Sequence, residues 1–216
     1  MKISAAEQAY EYLYNGILSR ELPLGSPISE PQISAALDMS RSPVREAIKR
    51  LEAEGLFTCH PNRGTFVIDF SRQDMEEIFE LRILFETFAL RRACENMDSK
   101  TIEKLEREIE SLNEDSGPEE YFEYNRHLHR AIINYGGNGR MARFFRILAI
   151  QLNVINRITA EDPECFANVK KQHLQIIQAI KQRNYGLAKK HLTGHLQDVF
   201  ERTMKVYFGP KIDRLA

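Results

Sequence analysis

The stretch PLGSPISEPQISAALDMSRSPVREAIKRLEAEGLFTCHPNRGTFV, residues 23–67, decides the reading of this chain. Its first residues, with Leu22, break a preceding helix whose apolar face is Ala9, Leu13, Ile17 and Leu18. Ser29-x-x-Gln32 has the form of a capping box, with Pro31 tolerated in the first turn, and predicts a second helix to about Leu37. Asp38-Met39-Ser40 supplies the turn. A third helix starts near Ser40 or Ser42, buries Val44, Ile48, Leu51 and then Leu56, and ends at Gly55. Residues 57–60 and 65–68 read as short strands joined by the turn Pro61-Asn62-Arg63-Gly64. Three helices, a tight turn between the second and third, and a β-hairpin wing predict a winged helix-turn-helix over residues 1–70.

The exposed side of the third helix carries the chemistry. Arg41, Arg45 and Lys49 recur every four residues, opposite Val44, Ile48 and Leu51, with Arg50 adjacent. A helix in the major groove needs such long cationic donors, and its N-terminal end meets base edges. Arg63 at the hairpin tip has the reach for a minor groove or a phosphate. Taken alone, the pattern is more simply a solvated basic face. Residues 1–70 hold more acids than bases, and the whole chain has a net charge of -1, so bulk charge does not point to nucleic acid. Glu46 is the acid nearest the arginines and is expected to support one of them.

The ordered pieces Leu24-Gly25, Ile28-Ser29-Glu30, Met39-Ser40-Arg41-Ser42-Pro43-Val44-Arg45-Glu46-Ala47, Leu51-x-x-Glu54-Gly55-Leu56 and Pro61-x-Arg63-Gly64 closely resemble the N-terminal domain of the GntR family of bacterial regulators. The resemblance implies that Arg41, Ser42 and Arg45 contact bases or phosphates, with the wing near Arg63 and Gly64 assisting. With Ser40 and Lys49 they form the candidate DNA-contacting set. Pro31 stands where family members often carry a basic residue, so a contact from that site is absent.

Residues 71–216 read as helical almost throughout, so the fold class is mainly α: a winged helix-turn-helix followed by an all-α six-helix bundle. The first bundle helix, about 72–95, is read as amphipathic, with Ile78, Leu81, Leu84, Phe85, Phe88 and Ala89 in one stripe. A second, about 99–114, turns Ile102, Leu105, Ile109 and Leu112 inward. Others follow at about 119–135, 138–159, 163–183 and 185–207. This half resembles the FCD effector domain, in the six-helix form of the VanR-like branch of the FadR subfamily.

Three of the six histidines fall within apolar stripes: His129 with Leu128 and Ile132, His173 with Val169, Ile176, Ile177 and Ile180, and His195 with Ala188, Leu192, Leu196 and Val199. One such imidazole is usually a hydrogen-bonded core residue. Three on three helices suit a divalent transition metal such as zinc, nickel or manganese. The FCD resemblance implies a ligand pair of the form Asp-x-x-x-His on one helix and two histidines on the last two. The matching positions here are Asn125, His129, His173 and His195, with Asn125 where aspartate is common, an uncharged donor that lowers the expected affinity. Glu123 and His127 also lie four apart, but off the main stripe. The same resemblance implies that Arg82 faces the cavity and pairs with an effector carboxylate, which guanidinium binds with two hydrogen bonds. Its alternative role is an ion pair with Glu86.

An enzyme is not expected. The chain lacks a nucleophile elbow, a phosphate loop and an H-E-x-x-H, and Leu192 occupies the glutamate position in His191-x-x-x-His195. A constitutive DNA-binding protein whose bundle only dimerises is the other alternative. The three cysteines, Cys59, Cys94 and Cys165, are far apart and form no C-x-x-C, which fits a reducing compartment. No long apolar run suggests a leader or a membrane span. The expected protein is cytoplasmic: a homodimeric regulator, read as a repressor, that binds a palindromic double-stranded DNA operator and a small carboxylate effector.

Overall fold

The computed structural model describes residues 3–113, 116–159 and 163–209. The described residues form nine helices and one three-stranded sheet. The chain divides into two compact units, Met1–Ser71 with Ile147–Val154, and Arg72–Arg146 with Ile155–Ala216.

The first unit contains α1 (Ala5–Leu18), β1 (Pro27–Ile28), α2 (Glu30–Ala36), α3 (Arg41–Ala53), β2 (Phe57–His60) and β3 (Gly64–Val67). Ser4 caps α1, its hydroxyl accepting from the Glu7 amide at 3.1 Å. The helix then buries Ala9, Leu13 and Ile17 at the four-residue spacing of one face. α3 buries Val44, Ala47, Ile48 and Leu51 against α1 and α2. Leu51 is fully buried, so truncating it to alanine would cost about 2–5 kcal/mol. Gly55 ends α3 with φ +75°, a left-handed turn that glycine adopts without strain, and Leu56 then closes back onto the Leu51 carbonyl at 2.8 Å.

One local expectation is corrected here, and the structure adds two features. Ser29 sits at the N-cap of α2, but its side chain makes no capping bond, so the capping box is not formed. The wing has a third strand: β1 pairs antiparallel with β3, giving the order β1-β3-β2. Two residues are too few for an alternating pattern to reveal. Arg50 turns away from the basic face. It stacks 3.7 Å above the Tyr10 ring and pairs with Glu7 at 2.8 Å and Glu54 at 3.3 Å, tying α3 to α1.

The second unit is built from α4 (Arg72–Asn96), α5 (Ser99–Ser111), α6 (Pro118–Tyr135), α8 (Pro163–Lys181), α9 (Tyr185–Phe208) and the parts of α7 (Gly139–Thr159) outside Ile147–Val154. α4 packs on α6 and α9, and α8 packs on α9 and α5. The buried face of α4 differs from the expected stripe. Met75, Ile78, Phe79, Arg82, Glu86, Ala89, Leu90 and Ala93 are buried, whereas Leu81, Leu84 and Phe88 are 44%, 59% and 63% exposed. The helix is turned by about one residue, roughly 100°, from the apolar reading. Its inner face accepts two charged side chains because Arg82 and Glu86 form an ion pair there at 2.9 Å. Cys59 is exposed and Cys94 is buried, both as free thiols, and the Cys165 side chain lies outside the described residues. Among the described residues, no helix is long and apolar enough to cross a membrane.

Candidate metal and effector site, and candidate DNA-contacting face

Three helices of the second unit bring His129 (α6), His173 (α8) and His195 (α9) together, all buried. Their candidate ligand nitrogens lie within 4.8 Å of one another. His173 Nε2 and His195 Nε2 are 3.0 Å apart. A tetrahedral ion with bonds of about 2.0–2.1 Å holds its nitrogens about 3.3 Å apart. That pair is therefore already at coordination distance.

The hydrogen bonds around the cluster set the tautomers. Glu86 Oε2 lies 2.6 Å from His129 Nδ1, and Gln172 Oε1 lies 2.9 Å from His195 Nδ1. Both oxygens accept, so both Nδ1 atoms donate. Each ring is left with a lone pair on Nε2, as a metal ligand requires. His129 Nε2 is buried without a partner, and so is His173 Nδ1. Asn125, one turn before His129, is half-buried and lines the same cavity as His173 and His195. Three buried neutral imidazoles are donors of the kind that a divalent transition metal takes.

Electrostatics favour the same protonation states. Burial, followed by the neighbouring imidazoles, which cannot all carry a proton so close together, and then by Arg82, pushes His173 and His195 well below the ordinary histidine value. His129 is also lowered, because its burial outweighs the attraction of Glu86. Burial alone would raise the Glu86 carboxyl, but His129 and Arg82 more than offset it and hold it below the usual carboxylate range. The cluster is thus three neutral imidazoles beside one ionised carboxylate.

Arg82 pairs with Glu86 through Nε at 2.9 Å, with both side chains essentially out of solvent. The structure therefore bears out the ion pair with Glu86, and that pairing leaves Nη1 over: it is buried with no partner. The Tyr124 hydroxyl is likewise buried and unpartnered, and its burial raises the phenol's pKa so that it stays protonated. Arg82, Tyr124, Asn125, His173 and His195 all line one cavity of about 60 Å³, whose remaining wall includes Phe122 and Phe166. Burying an unpaired guanidinium N–H is costly, so open donors over a cavity point to an acceptor that completes them. Sequence reasoning named Glu86 only as a partner for Arg82. Its bond to His129, 43 residues away, joins the arginine to the histidine cluster, and no local pattern signals it. His127, by contrast, is exposed and faces Glu108 and Glu123 outside the cluster.

In the first unit, Ser40, Arg41, Ser42, Arg45 and Lys49 are all exposed on or just before α3, and Arg63 and Gly64 are exposed in the hairpin. Ser40 is the N-cap residue of α3 but makes no side-chain capping bond. Arg45 is held by Glu30 of α2 rather than by Glu46, and Arg50 pairs with Glu7 and Glu54.

Residues 77–198 match the FCD domain, and residues 5–67 match the bacterial regulatory proteins of the gntR family. The chain belongs to the GntR family, with an FCD domain. A relative from Paenarthrobacter nicotinovorans, named "Probable D-xylose utilization operon transcriptional repressor", is 28% identical over 90% of this chain and 87% of its own length. Among solved structures, E. coli McbR/YncC superposes with a TM-score of 0.80 at 20% identity, covering 95% of this chain and all of the other (100%). The metal-free FCD domain of TM0439 gives 0.59 at 18% identity over 65% of this chain and 98% of that one, a likeness of fold alone. This GntR/FCD protein is therefore a transcriptional regulator with a DNA-binding and an effector-binding domain, not an enzyme.

Proposed function

We propose that this GntR/FCD regulator binds a palindromic operator as a homodimer and answers to a small organic acid held in the cavity of its FCD domain, beside a divalent transition metal. The observation that carries this reading is Arg82 Nη1, buried and unpartnered in a cavity walled by His173 and His195. His129, His173 and His195, with Asn125, would hold the ion. The metal supplies Lewis-acid attraction for an anionic oxygen. Arg82 binds the other side of the carboxylate, and the Tyr124 phenol is placed to donate as well.

The operator contacts are assigned to Ser40, Arg41, Ser42, Arg45 and Lys49 on α3, and to Arg63 and Gly64 on the wing. Support for a dimer comes from α4, whose exposed Leu81, Leu84 and Phe88 leave an apolar stripe. Glu77 precedes the stripe and Arg92 follows it, both exposed. An antiparallel second copy, with its two-fold axis between Leu84 and Phe85, sets Leu81 on the partner subunit's Phe88 and Glu77 on the partner subunit's Arg92. Repression is the reading that the P. nicotinovorans relative's name favours. The setting is bacterial chromosomal DNA in the cytoplasm.

Ligand and operator must each change the other's affinity by the same factor if the two sites are coupled. The test is metal analysis of protein purified without chelator, followed by calorimetry against a panel of small carboxylates. About one transition metal per chain, lost in His129→Ala, with carboxylate binding lost in Arg82→Ala, supports the reading. A metal-free protein that binds no carboxylate overturns it.

A further inference from the structure

Arg45 does not project freely from α3. Its Nε lies 3.3 Å from both oxygens of Glu30, and its Nη2 donates to Glu30 Oε2 at 2.9 Å. Glu30 is the first residue of α2, so the pair spans the two helices of the helix-turn-helix. The side chains are 57% and 28% exposed. Ion pairs this accessible contribute little to folding. The packing of α2 on α3 already rests on the buried Ile33, Val44 and Ile48.

The geometry matters more than the energy. Glu30 grips the Nε–Nη2 edge of the guanidinium. That leaves Nη1 and the outer hydrogen of Nη2, the end-on pair that matches O6 and N7 of guanine. An arginine stem normally surrenders much rotamer freedom on binding, and one already pinned surrenders less. The same carboxylate repels phosphates, so it weakens attraction to any duplex while sharpening the choice of one base.

We propose that Glu30 is a specificity-determining residue, which positions Arg45 end-on for a guanine in the major groove and penalises binding to other sequences. This rests on the reading of Arg45 as a base-contacting residue.

The test is selection of duplexes from a random-sequence library by the full-length protein and by Arg45→Ala, Glu30→Gln and Glu30→Asp. Binding to the selected duplex and to a scrambled duplex is then measured at two salt concentrations. Arg45→Ala is expected to lose base preference at one position of each half-site. Glu30→Gln is expected to relax that same position, to lower the specific-to-scrambled ratio by about tenfold and to bind the scrambled duplex more tightly. Glu30→Asp, which keeps the charge but shortens the reach, is expected to relax the position without tighter binding to the scrambled duplex. If Glu30→Gln does not fold, the aspartate variant decides. Unchanged selection and ratio in the glutamate variants, alongside a lost preference in Arg45→Ala, overturn the role of Glu30 alone. Unchanged selection by Arg45→Ala overturns the reading on which it rests. Uniform loss of binding with a lowered melting temperature in both glutamate variants assigns Glu30 to folding and overturns the proposal.

Discussion

Glu86 Oε2 lies 2.6 Å from Nδ1 of His129, while its other oxygen accepts from Arg82 Nε at 2.9 Å. One buried carboxylate therefore orients a candidate metal ligand and a candidate effector-binding cation together. Removing such a carboxylate behind a metal-bound imidazole typically lowers metal affinity by about 10–100-fold. Glu86→Gln is expected to fall in that range in competition titrations with a metal-binding dye, with His129→Ala weaker still. An affinity equal to wild type in Glu86→Gln would separate the carboxylate from the metal site.

Glu86→Ala should also unfold more easily, because Arg82 would be left as an uncompensated buried charge. Breaking a buried pair on one side costs about 3–5 kcal/mol. Urea unfolding of Glu86→Ala beside the double variant Glu86→Ala/Arg82→Met reads this directly. The double variant is expected to recover much of the loss, and equal stability of the two would show that the pair is not buried in solution.

The histidine cluster makes stability depend on pH in the metal-free protein. All three imidazoles have folded pKa values lowered by burial, while each titrates near about 6.5 in the unfolded chain. Above that pH both states are neutral and the contribution is complete. Below it the unfolded chain takes up protons first, so stability falls as pH drops toward the folded values. Each group contributes a slope of at most about 1.4 kcal/mol per pH unit. The lowered Glu86 pKa acts with the same sign, but in a more acidic window. Melting temperatures of chelator-treated protein at about pH 7.5, 6.5 and 5.5 are expected to decline, more so than in His173→Phe. A rise toward acid would contradict the neutral-imidazole assignment.

The exposed α4 stripe predicts an interface that single charges disrupt. Leu84→Asp and Phe88→Asp alter exposed side chains and should leave circular dichroism unchanged. Each is expected to weaken self-association by about 2 kcal/mol or more, roughly thirtyfold, in sedimentation equilibrium. Wild-type association in both variants would move the dimer contact elsewhere.

On the operator, phosphate and base contacts separate by salt. Arg63→Ala, if it removes one phosphate contact, should weaken binding to all duplexes and reduce the slope of log affinity against log salt by about 0.9. Arg45→Ala should instead erase a base preference. Similar salt slopes in wild type and Arg63→Ala would take the wing tip off the phosphate backbone.

Much was decided locally and was readable along the chain. The turn at Asp38–Ser40, the glycine at 55 and the spacing of Val44, Ile48 and Leu51 determine the helix-turn-helix, because a helix's start, stop and apolar face depend on neighbours a few residues apart. The same periodicity placed His129, His173 and His195 on inward stripes, and the structure brings the three together. Tertiary structure alone decided which side of α4 is inside. Periodicity reports angles around one helix, and α4 carries apolar residues on two sides, so the choice depended on what α6 and α9 offered. They offered a bundle interior where Arg82 and Glu86 could be paired and His129 could be reached, which left Leu81, Leu84 and Phe88 outward. The hold of Glu30 on Arg45 was likewise invisible in the sequence, because ion pairs between helices depend on where a turn directs the chain and not on spacing within either helix.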